Sequence, residues 1–189
     1  MRIISGKFKG RRFSPPADNW PTRPTTDYAK EGLFNVLHNN WLDFEDERFL
    51  DLFGGTGSHD YEFISRGCTD VTYVDKHGPA VAFVEETVKT LGVEDYIKIF
   101  RMDVFKFMKM KVREPYSYIF AGPPYPLKNI PEIPELIFEA GLLAPNGLFV
   151  METNPHHDFA EDPRCVEKRN YGKTIFWFFK RLEDISEEE

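Results

Sequence analysis

The stretch "RFLDLFGGTGS" at residues 48–58 constrains the fold more than any other, because a short apolar run breaks at once into Gly54, Gly55 and Gly57. It reads as a buried strand, a tight turn and a helix over His59 to Arg66 that Gly67 stops. The same order recurs downstream. "VTYVD" is a second strand followed by a helix around Ala80 to Leu91, "YIKIFRMD" a third strand, and "VFKFMKM" a short helix or turn. "YSYIFAGPPY" is a fourth strand with its loop, "IPELIFEAGLL" a helix, and "GLFVMET" a fifth strand. "CVEKRNYGKTIFWFFKRL" then reads as two strands joined near Tyr171-Gly172. Strands that alternate with helices and close on a hairpin predict an α/β fold: a doubly wound, mostly parallel sheet with a C-terminal antiparallel hairpin.

Before that sheet, Thr25-Thr26-Asp27 precedes "YAKEGLFNVLHNNW", in which Leu33, Phe34, Leu37 and Trp41 recur at helical spacing. A capped amphipathic helix is expected there, weakened slightly by Gly32. The first 24 residues join an alternating "RIISGKFKGRRF" to a proline-rich "SPPADNWPTRP", a short hairpin or arm with an extended tether. The expected organisation is a basic arm at 1–24, one domain at 25–182 and an acidic tail at 183–189.

A formal net charge of -7 argues against a polyanionic partner until its distribution is considered. Arg2, Lys7, Lys9, Arg11, Arg12 and Arg23 face a single acid, Asp18, in the arm, so a basic arm sits on an acidic body. Cys68 and Cys165 have no metal-ligand spacing, and the adjacent His156-His157 reads as a solvated loop, so no metal is expected and both thiols are read as reduced. With no apolar run near the roughly 20 residues of a membrane span, and no signal-peptide core, the expected location is cytoplasmic.

Three acids end three successive strands. Asp51 enters the glycine turn, where a backbone can approach a ligand closely and a helix N-terminus favours negative charge. Asp75 follows about 20 residues after the first glycines, the position from which a carboxylate takes both hydroxyls of a ribose. Asp103 closes the third strand. Taken singly, the Asp51 turn could be a tight strand-to-helix turn with no ligand, and Asp75 and Asp103 could be helix caps; together they are expected to converge on the crevice outside the strand ends. A fourth signal is Gly122-Pro123-Pro124-Tyr125, where two prolines stiffen a loop and a tyrosine can stack on a base; alone it reads as a rigid turn covering the sheet.

The chain resembles the RsmD-like ribosomal RNA guanine-N2 methyltransferases. The likeness rests on "MRIISGKFKGRRF", "TRPTTDYAKEGLFNVL", "LDLFGGTGS", "SRG", "VD", "PPY" and "VEKRNYG", which together span most of the chain. It implies a seven-stranded Rossmann-like fold, S-adenosylmethionine as methyl donor, and small-subunit ribosomal RNA or the assembled subunit as partner of a monomer. The implied donor pocket comprises Asp51, Phe53, Gly54, Gly55, Thr56 and Gly57, with Asp75 on the ribose and Asp103 and Val104 at the adenine. The segment from Arg23 through Thr26 to Asp27 is expected to close over donor and target, and the basic arm to hold phosphates.

Two departures from the family pattern stand out. Its loop reads Asp or Asn, Pro, Pro, then Phe or Tyr, whereas the first member here is Gly122, which has no side chain to hydrogen-bond a target amine. Ser58-His59-Asp60 replaces residues that are small or apolar in the family, which sets a carboxylate either against the donor or as a helix cap. A binding protein that kept the fold without the chemistry is the alternative reading; a DNA adenine-N6 or small-molecule methyltransferase is the third.

Overall fold

A computed structural model describes residues 1–16, 20 and 25–186. One seven-stranded sheet organises the chain: β1 (Arg48–Leu52), β2 (Asp70–Asp75), β3 (Ile97–Arg101), β4 (Tyr116–Ala121), β5 (Leu143–Thr153), β6 (Cys165–Tyr171) and β7 (Thr174–Phe179). Their spatial order is β3-β2-β1-β4-β5-β7-β6. The five strands β1 to β5 pair in parallel, and β7 lies antiparallel between β5 and β6. Chain order reverses between β1 and β4, and this switch point opens a crevice beyond the strands' carboxyl ends.

Alternation within the strands builds two cores. Phe49, Tyr73, Tyr118, Phe120, Val150 and Phe176 share one with α1 (Asp27–Asn40), α2 (Ser58–Ser65) and α3 (Gly78–Leu91). Leu50, Leu52, Val74, Ile119, Met151 and Trp177 share the other with α4 (Val104–Met108) and α5 (Ile133–Glu139). A sheet covered on both faces needs near-continuous apolar strands, and "YIFA" and "TIFWFF" supply them.

Several expected boundaries move. The fourth long helix ends at Glu139 because Gly141 turns at φ 63, and β5 begins at Leu143, earlier than the expected "GLFVMET". Residues 183–186, expected as part of an acidic tail, instead belong to a short helix, α6 (Leu182–Ser186). Its Asp184 is buried, accepts the Asn146 N–H at 2.9 Å and pairs with the Arg181 guanidinium at 3.0 Å. Residues 187–189 of that expected tail lie outside the described residues.

The N-terminal segment is a hairpin, as Arg2 bridges antiparallel to Arg12, yet it is docked rather than free. Ile3 is buried, and the Ile4 and Ser5 N–H groups donate to the Glu62 carboxylate at 2.9 and 3.0 Å. The Lys7 N–H donates to the Ser65 carbonyl at 2.7 Å. Gly6, at φ 82, lies so close to Ser65 that a Cβ would stand 1.8 Å from its carbonyl oxygen. Gly32 likewise has a packing reason: a Cβ there would meet the Tyr171 ring at 2.2 Å, so α1 needs glycine where it meets β6.

Candidate active site

The turn after β1 is held by its neighbours. Phe53 adopts φ 61, a left-handed conformation that a bulky residue takes only when its surroundings impose it. The ring of Tyr73 approaches Gly54 so closely that a Cβ would lie 2.4 Å away, and the Tyr73 hydroxyl donates to the Gly55 carbonyl at 2.7 Å. Gly57, at φ 75, opens α2. Asp75 binds this turn to the next, accepting the Gly55 N–H at 2.9 Å through one oxygen and the His77 N–H at 2.8 Å through the other. Each carboxylate oxygen accepts more than one hydrogen bond, so both retain capacity for a ligand hydroxyl.

Two cavities flank this turn and share Phe53 and Pro124 in their walls. One, of about 590 Å³, is lined by Asp75, His77, Asp103, Val104 and Phe105. Paired carboxylates beside aromatic and aliphatic walls suit a ribose diol and a flat base. Asp103 also caps α4, accepting the Lys106 N–H at 3.2 Å. The other cavity, of about 330 Å³, is lined by Asp51, Gly54, Gly55, Thr56, His59, Phe120, Glu152 and the whole loop Gly122, Pro123, Pro124 and Tyr125. Asp75 and Asp103 thus line one cavity, Asp51 and the proline loop the other, and Phe53 and Pro124 stand in the walls of both. Thr26 caps α1 by accepting the Ala29 N–H at 3.2 Å; its neighbour Thr25 is the residue that lines the cavity.

Electrostatics in the smaller cavity are unusual. Asp51 and Asp60 are both buried and electrostatically coupled, and neither oxygen of Asp60 has a hydrogen-bond partner among the described residues. Burial raises Asp51 to about 7, and burial together with the Asp51 charge raises Asp60 well above the carboxylate range, so Asp60 keeps its proton. Asp60 is thus neither a helix cap nor a free charge facing the donor. His59 stacks on Phe120, ring centroids 3.8 Å apart, and burial holds its pKa down at about 3, so the imidazole is neutral.

Glu152 was not legible as a site residue, because "GLFVMET" alone reads as a core strand. It is only 7% exposed, accepts a hydrogen bond from the Thr25 hydroxyl, and burial raises it to about 7. Gly122 has no left-handed φ, so its backbone does not demand glycine; a Cβ would come within 3.2 Å of the Phe120 ring edge.

The candidate RNA-binding side chains Arg2, Lys7, Lys9, Arg11 and Arg12 are all exposed on the docked hairpin. Arg2 lies 3.6 Å from Asp27 and 3.7 Å from Glu31, pairs too exposed to hold it strongly. Lys7 and Arg11 lie over the Phe8 ring at 5.3 and 5.7 Å. Arg23 lies outside the described residues. Among the described residues there is no group of three or more potential metal ligands, and no helix is long and apolar enough to cross a membrane.

Comparison with known proteins bears on this geometry. The family described as Conserved hypothetical protein 95 matches residues 1–180. The "Putative rRNA methyltransferase YlbH" of Bacillus subtilis (strain 168) is 32% identical over 186 residues, covering 96% of this chain and 99% of that protein. "Ribosomal RNA small subunit methyltransferase D" of Haemophilus influenzae is 29% identical over 155 residues, 81% of this chain and 78% of that one. The solved structure of a Thermus thermophilus hypothetical protein, TTHA0928, superposes with a TM-score of 0.81 at 26% identity, covering 96% of this chain and 99% of that chain.

Proposed function

We propose, for a chain that belongs to the RsmD-like methyltransferase family described as Conserved hypothetical protein 95, that it methylates the exocyclic N2 of a guanine in small-subunit ribosomal RNA. The observation that carries this reading is the pair of cavities that share Phe53 and Pro124 in their walls, one lined by Asp75 and Asp103 and the other by the glycine turn and the proline loop. S-adenosylmethionine, when bound, supplies a methyl group already activated by its sulfonium. The chain's residues then have to bind, aim and exclude water.

In this reading Asp75 accepts hydrogen bonds from the ribose hydroxyls while it braces Gly55 and His77. Phe53, Val104 and Asp103 hold the adenine in the larger cavity, and the turn from Asp51 through Thr56 to Gly57 carries the methionine end past Pro124 into the smaller one. Tyr125 stacks on a guanine turned out of its helix, and the carbonyls of Gly122 and Pro123 take part of the amine contact. Lys7, Lys9, Arg11 and Arg12 on the hairpin, with Arg2 and Arg23, meet phosphates and set orientation without reading sequence.

Labelled S-adenosylmethionine, undermethylated small subunits and digestion of the product to nucleosides test the assignment. N2-methylguanosine is the expected product; label on adenine or on a ribose oxygen would overturn it. Asp75→Ala is expected to weaken S-adenosylmethionine binding about 10- to 100-fold, the worth of a hydrogen bond or two to a charged group. Calorimetric titration measures that loss, and an unchanged affinity removes the ribose role.

A further inference from the structure

Among the described residues two carboxyl groups line the smaller cavity, and they differ in where they stand relative to the proline loop. Asp51, on β1, is level with Phe120 of β4, two residues before Gly122. Glu152 follows Met151, whose register partner on β4 is Ala121; Gly122 follows Ala121. Adjacent parallel strands thus end side by side, with a carboxylate on one and the bare glycine on the other, and both line the same cavity. No lysine or arginine among the described residues lines that cavity. Its Oε2 accepts the Thr25 hydroxyl, and its Oε1 lies 3.5 Å from the Tyr125 hydroxyl, at the outer limit of a hydrogen bond. A carboxylate buried in that cavity, with one oxygen weakly engaged, costs stability unless a ligand donates to it.

We infer that Glu152 is a catalytic residue: its Oε1 accepts the hydrogen bond from the target's exocyclic amine that position 122 has no side chain to accept, and takes the proton that nitrogen sheds. The inference rests on the guanine-N2 reading above. The nitrogen lone pair forms the new N–C bond as the donor's S–C bond breaks, with that electron pair staying on sulfur. The N–H proton passes to Oε1 and is later released to water, which regenerates the carboxylate. The neighbouring titratable groups are Asp51 from β1, His59 from α2 and Tyr125 from the loop. His59, held down at about 3, gives no change in charge near neutrality, whereas Glu152 at about 7 does. Asp51, also raised to about 7, is the competing source of any such change.

The deciding experiment compares wild type with Glu152→Gln across pH 5.5 to 8.5, reading turnover on undermethylated subunits alongside calorimetric affinity for S-adenosylhomocysteine. The expected result is turnover lowered about 100-fold, within the range for losing a general base, with the acidic limb of the wild-type profile abolished and product-analogue affinity unchanged. Unchanged affinity also shows that the variant is folded. Equal turnover, or an acidic limb that survives in Glu152→Gln and so belongs to Asp51, overturns the inference. A parallel loss of analogue affinity overturns it too, since Glu152 would then act on the donor. If the wild-type chain methylates another atom or none, the guanine-N2 reading falls and takes the inference with it; the other outcomes leave that reading standing.

Discussion

Glu62→Ala is expected to lower unfolding stability by about 3–5 kcal/mol, the cost of breaking a buried ion pair from one side. Glu62 is wholly buried, and four donors converge on its two oxygens. One oxygen takes the Ser5 N–H and the Arg66 Nε, each at 3.0 Å. The other takes the Ile4 N–H at 2.9 Å and lies 3.2 Å from the Lys30 Nζ. Lys30 is itself buried; burial lowers its pKa, and its remaining bond goes to the Arg2 carbonyl at 3.0 Å. Alanine would strand all four donors and leave an ammonium without its counter-charge. For a chain of this length the loss corresponds to a Tm lower by roughly 10 °C. The same carboxylate fastens the basic hairpin to α1 and α2, so the hairpin should become the first site of limited proteolysis. A variant within about 1 kcal/mol of wild type, its hairpin still protected, would show that this network contributes little; exposed surface pairs contribute on that smaller scale.

That network also marks where sequence reading stops. Lys30 lies in α1 and Glu62 in α2, every residue of which is buried, although charged helix residues are ordinarily assigned to solvent. The docked residues 1–13 contact both side chains, and no local pattern encodes that docking. Asp51, Asp75 and the glycine turn stood out because their pattern is written within a strand and its loop, and the mostly parallel sheet followed from the alternation of strands with helices. The proline loop was legible for the same reason. Glu152 was not, since its importance comes from the register of β5 on β4, which sets it beside Gly122. Asp60 was visible as an odd residue at the start of α2, but its partner lies on β1, outside any sequence window. The short helix at 182–186 escaped because an acidic stretch resembles a solvated tail until Arg181 and the Asn146 N–H are known to meet Asp184.

The buried carboxyls make the chain itself pH-sensitive, and unfolding stability is expected to fall by on the order of 3 kcal/mol between pH 5 and pH 8. Burial raises Asp51 and Glu152 each to about 7, and raises Asp60 well above its ordinary value. Between their ordinary values and these raised ones, the folded chain binds protons that the unfolded chain has released. Stability from such groups is fully present below the ordinary carboxylate range and is lost as pH rises through the folded value. His59 acts in the opposite sense: held down at about 3 when folded, it makes the unfolded chain the better proton binder up to about pH 6.5. Three carboxyls against one imidazole leave a net fall with pH, and above pH 6.5 the carboxyls act alone. Denaturant unfolding at a series of pH values measures the slope. Asp60→Asn should flatten it and make the protein more stable than wild type at pH 8, because it removes one of two coupled buried carboxyls and its proton release. A slope that rises through this window, or one that Asp60→Asn leaves untouched, would mean that the two carboxyls are not coupled. The wild-type cost is borne on the wall of the crevice where the methyl donor is proposed to lie. A cation bound there would relieve it by stabilising the ionised forms, so the same acids that weaken the empty fold at neutral pH favour a sulfonium over a neutral thioether.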